Sequence, residues 1–151
     1  MPSSDRPTGE ISAQRILVPV NGNPTDAEMV ALACGIARRT KAEVHIIYII
    51  EVKRTLPLDA DLPPEAEHGE TVLEQAERVA QGFSQEVQAD LLQARDVGPT
   101  IVDEARERGV DLILLGITYK KRFGEFDLGQ TAPFVLKHAP CRVWVCRQAV
   151  E

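Results

Sequence analysis

Three short, strongly apolar segments recur along this chain: Ile16-Leu17-Val18, Val44 to Ile50 broken only by His45 and Tyr48, and Leu112-Ile113-Leu114-Leu115. Runs of this length with no polar alternation suit strands that are buried on both faces. Helical patterns fall between them. Over residues 25–39, Ala27, Val30, Ala31, Cys34 and Ala37 share one face, widened by Met29, Leu32, Ala33 and Ile36. Arg38, Arg39 and Lys41 follow at its end, where a helix dipole favours cations. Asn21-Gly22-Asn23-Pro24 is turn chemistry, and either Asn23 or Thr25 can cap this helix. Asp26 and Glu28 read as first-turn acids favoured by the dipole.

Residues 52–68 carry Pro57, Pro63, Pro64 and several acids and predict a mobile loop. A second helix is expected over 71–88, with Val72, Ala76, Val79, Ala80, Phe83 and Val87 on one side, then a weaker strand over 89–94. Gly98-Pro99 opens a third helix, with proline where the first turn tolerates it, and Gly109 ends it. A short helix over 130–138 is stopped by Pro140, and a last strand spans 141–146. Strict alternation of strand and helix predicts an α/β fold: an open, doubly wound, parallel five-stranded sheet with right-handed crossovers and helices on both faces. Ligands of such sheets sit at the carboxyl ends of the strands, at a topological switch point. In the order 3-2-1-4-5 that point lies between the exits of strands one and four, at Val20-Asn21-Gly22 and Leu115-Gly116.

That placement gives meaning to a glycine frame. The apolar run ends at Gly116, twelve mostly polar residues follow, and Gly129 opens the next helix. Glycine lets main-chain N–H groups approach an anion, and a helix amino terminus adds unpaired donors and partial positive charge. Both glycines also fit a reading in backbone geometry alone: a sharp strand exit and a helix start. Lys120, Lys121 and Arg122 are near enough in sequence to meet phosphates, but with Glu125 and Asp127 beside them they read as a solvated charge run.

Composition narrows the classes. At 151 residues the chain is one domain, and a net charge of −6 argues against nucleic acid as a partner. No apolar stretch approaches the ~20 residues that span a bilayer. Residues 1–14 are expected to form a disordered lead or linker, and residues 15–147 the domain. Cys34, Cys141 and Cys146 each sit in apolar surroundings and read as buried structural thiols of a reducing, cytoplasmic compartment. His45, His68 and His138 are scattered and read as structural. No catalytic triad, carboxylate pair or metal-ligand spacing stands out, so the chain does not read as an enzyme and no cofactor is required.

The segments Ile16-Leu17-Val18-Pro19-Val20-Asn21-Gly22, Asp111 to Gly116, Leu128-Gly129 and Val135 to Val143, with its His-Ala-Pro-Cys stretch, resemble a universal stress protein domain. The resemblance covers residues 15–147 and implies an adenine nucleotide alpha-hydrolase-like fold. Members that bind ATP carry a glycine, two residues, a glycine, nine residues, then a glycine followed by serine or threonine. Here the outer glycines keep their spacing, Tyr119 replaces the middle one, Gln130 precedes Thr131, and Asn21 stands where the family places an acid. Tyr119 restricts φ and adds bulk; its ring can stack on a ligand or close the pocket. The resemblance implies a site formed by Pro19, Val20, Asn21, Ile49, Gly98, Leu115, Gly116, Thr118, Tyr119, Gly129, Gln130 and Thr131. Its candidate ligands are ATP, ADP, AMP or a cyclic dinucleotide, and any ATP hydrolysis would be incidental. The alternative is a dimerisation or scaffolding domain that has lost its ligand.

The resemblance also implies a homodimer through the last strand. Arg142, Trp144 and Cys146 alternate there with Val143 and Val145. The Pro-Val-Asn-Gly form and the Phe-Gly-Glu-Phe-Asp-Leu-Gly loop resemble members fused to the cytoplasmic ends of membrane transporters. A fused or associated transporter is therefore an expected partner.

Overall fold

The computed structural model describes residues 13–118, 121–122, 125–126 and 128–149. Its order is β1 (Arg15–Val20), α1 (Asp26–Thr40), β2 (Glu43–Glu51), α2 (Pro63–Gly82), β3 (Val87–Ala94), α3 (Val97–Glu107), β4 (Leu112–Ile117), a small antiparallel pair β5 (Lys121–Arg122) and β6 (Glu125–Phe126), α4 (Thr131–His138) and β7 (Arg142–Arg147). The main sheet has five parallel strands in the order β3-β2-β1-β4-β7, the order expected. The polar stretch read as a loop contains the β5–β6 pair.

Alternation within each strand sorts the apolar side chains into two layers. Ile16, Val18, Val44, Ile46, Leu112 and Leu114 meet α1 and α2; Leu17, Ile47, Ile113 and Leu115 meet α3 and α4. Most are fully buried. At about 1.5–3 kcal/mol for each such side chain taken out of water, this double layer is the main stabilising term.

Helix α2 departs from expectation at both ends. It begins at Pro63, with prolines in the first turn, where the missing N–H removes no intrahelical bond. It ends at Gly82, and Ser84 at φ 54 breaks the path before β3 starts at Val87. Gly69 allows the helix to approach the sheet: a Cβ there would lie 2.6 Å from Leu91 and 2.7 Å from Tyr48. The remaining loop is clasped to the end of β3. Gln93 donates to the carbonyls of Leu58 and Ala60, and Arg95 to those of Lys53 and Leu56. The mobile loop expected over residues 52–68 is thus helical from Pro63 onward and pinned through Lys53, Leu56, Leu58 and Ala60 before it.

The chain entering β1 is anchored as well. Ala13 is buried, and the Asp111 carboxylate accepts from the N–H groups of Gln14 and Arg15. Residues 13 and 14 therefore pack with the domain, while the rest of the expected lead lies outside the described residues. Of the cysteines only Cys34 is buried; Cys141 and Cys146 are half-buried, because β7 is a sheet edge with less cover than the strands inside.

Beneath α3, His45 is 5% exposed. Its Nδ1 lies 3.0 Å from Arg108 Nη1, which also reaches Asp90 at 3.0 Å, while Arg108 Nη2 is 2.9 Å from Glu104. A guanidinium only donates, so Nδ1 accepts in this contact. The other ring nitrogen is buried without a hydrogen bond, with Glu43 Oε1 3.4 Å away.

Candidate functional site

The exit of β1 is a knot of short polar side chains. The Asp26 carboxylate accepts from the N–H of Gly22 at 2.7 Å and that of Asn21 at 3.4 Å. Asn21 Oδ1 accepts from the N–H of Asn23 at 3.0 Å. Asn23 Oδ1 accepts from the N–H of Thr25 at 2.8 Å and from the Thr25 hydroxyl. The Asn23 carbonyl takes the N–H of Asp26 at 3.1 Å. Thr25 is the N-cap residue of α1 but makes no side-chain cap bond. Asp26 does more than favour a dipole: it closes the turn. Burial pushes its carboxyl above the usual range, opposed by the two N–H bonds. The main-chain amides at this exit are therefore engaged, because three acceptors lie within six residues of one tight turn.

At the exit of β4 the strand runs through Gly116 to Ile117, with Gly116 opposite Cys146. A Cβ on Gly116 would collide with Thr25 Oγ1 and lie 2.8 Å from Met29 Cγ. Close packing of β4 on α1 thus requires this glycine, and ties the two strand exits together through Thr25. Gly129 has a different reason. Its φ is 74, in the left-handed region, and nothing stands within 4 Å of where a Cβ would be.

Between these exits lies a cleft of about 350 Å³. Pro19, Val20, Asn21, Ile49, Leu115, Gly116, Thr118, Gly129, Gln130 and Thr131 line it. Gly98 does not: Phe134 stands 3.1 Å from its Cβ position, so this glycine serves the contact of α3 with α4. Tyr119 and Lys120 lie outside the described residues, as do the side chains of Lys121 and Arg122.

Asn23, Ile47, Val97, Ile101, Ile117, Leu128 and Ala132 also line the cleft and were not expected there. Some carried a signal. Ile47 shares the face of Ile49 two residues on, and Val97 and Ile101 are an i, i+4 pair on α3. Together the isoleucines and Val97 form an apolar part suited to a flat, poorly solvated group.

The polar part is the start of α4. Its N-cap residue, Gln130, makes no side-chain cap bond, and Pro133 has no N–H to offer. Gln130, Thr131 and Ala132 line the cleft, so the amino terminus of α4 opens onto it with its partial positive charge. No charged side chain lines the cleft among the described residues, and no group of metal-ligating side chains occurs among them. An apolar bed beside a helix amino terminus can hold a planar heterocycle and an anion at once.

The universal stress protein family model matches residues 12–147. A universal stress protein of Methanocaldococcus jannaschii is 28% identical over 146 residues, covering 93% of this chain and 85% of that protein. Among solved structures, a universal stress protein from Archaeoglobus fulgidus in complex with dAMP aligns with a TM-score of 0.70 at 20% identity, covering 89% of this chain and 98% of that one. A family protein from Arabidopsis thaliana with AMP bound aligns at 0.63 and 13% identity, covering 91% and 93%. At these identities the structural matches speak for the fold, which is adenine nucleotide alpha-hydrolase-like.

Proposed function

The chain belongs to the universal stress protein family, and from that premise we propose that it is a regulatory domain that binds an adenine nucleotide between the exits of β1 and β4. The observation that carries this reading is the amino terminus of α4 opening onto an apolar cleft of about 350 Å³. Relatives solved with dAMP and AMP support an adenine nucleotide as the ligand. The base lies on Ile47, Ile49, Val97 and Ile101, and the phosphate meets the α4 terminus. Regulation works through differential affinity of the nucleotide for two conformational states of the domain. The resemblance of this chain to transporter-fused members supports a membrane transporter as the partner it informs. Among the described residues no helix is long and apolar enough to cross a membrane.

Thermal unfolding with AMP, ADP, ATP and a cyclic dinucleotide tests the ligand. At a hundredfold excess over Kd, a ligand that binds only the folded state adds about 2.7 kcal/mol, or roughly 5–10 °C for a chain of this size. At least one adenine nucleotide is expected to give such a shift. No shift with any of them at millimolar concentration ends the sensor reading.

A second reading, a ligand-free assembly domain, has its own support. Packing on Thr25 and Met29 accounts for Gly116 without a ligand. Strand β7 is the end of the five-stranded sheet, and an unpaired edge invites a second copy. Half-buried Trp144 and Cys146 lie on its α1 side. We propose a homodimer through this edge under either reading. Light scattering is expected to give twice the chain mass at tens of micromolar and the single mass for Trp144→Arg. A monomeric parent protein, or an unchanged dimer in the variant, refutes it.

A further inference from the structure

We draw no further inference here: the strongest candidate, the surface patch at exposed Leu56 and Leu58 on the clasped loop between β2 and α2, carries nothing, because nothing in the structure shows what covers it.

Discussion

Gly116→Val is expected to cost about 1–3 kcal/mol of stability and to abolish nucleotide binding. The added Cβ would enter the space of Thr25 Oγ1 and stand 2.8 Å from both Thr25 Cβ and Met29 Cγ. None of these atoms can yield cheaply. Thr25 is buried and held by two bonds to Asn23, and Met29 lies in the core under α1. The strain must therefore move β4 away from α1, which separates the two strand exits that frame the cleft. Denaturant titration measures the first effect and calorimetry with AMP the second. Stability within 0.5 kcal/mol of the parent would mean that α1 and β4 are less tightly joined than the packing shows.

Arg108→Met is expected to cost about 2–4 kcal/mol, more than any exposed ion pair and less than a fully buried one. Three groups depend on this guanidinium: Glu104 at 2.9 Å, Asp90 at 3.0 Å and His45 Nδ1 at 3.0 Å. Arg108 is 16% exposed and Glu104 19%, so most of that partnership is screened little by water; Asp90, at 47%, contributes less. Methionine replaces the stem and leaves a buried acceptor on His45 and a half-enclosed carboxylate on Glu104. Arg108→Lys is expected to recover only part of the loss, because one ammonium cannot meet three partners set by a planar fork. Equilibrium unfolding in urea reads both. A loss below 0.5 kcal/mol for Arg108→Met would show the cluster to be energetically equivalent to a surface pair.

Much of the architecture was legible before any coordinates, for a simple reason. A strand buried on both faces must be apolar throughout, so Leu112 to Leu115 can hardly be read otherwise. Boundaries set by several weak preferences were less legible. Proline at 63 and 64 reads as loop until one knows that it occupies the first turn of α2, where it costs nothing. The pinned half of the same segment depends on Gln93 and Arg95, some forty residues away in sequence, which no local pattern could reveal.

The cleft divides the same way. Its glycines, Asn21 and the start of α4 were marked by residue type and spacing. Gly98 came in with the family resemblance and packs instead against Phe134, since a glycine is equally useful wherever two surfaces must come close. Asn23 was read only as a possible helix cap; its place on the cleft follows from the turn that its Oδ1 closes with Thr25.

Hydrophobic periodicity and strand-helix alternation thus settled the layers and the carboxyl end of the sheet as the place where a ligand can sit, because burial is a property that residue type announces; the order 3-2-1-4-5 entered as an assumption, and strand pairing bore it out. The direction of each polar group was decided only in three dimensions: Asp26 turned back on Gly22 and Asn21, Arg108 gathered three partners, and the asparagine oxygens were drawn inward. A hydrogen bond depends on distance and orientation between atoms remote in sequence, and composition carries neither.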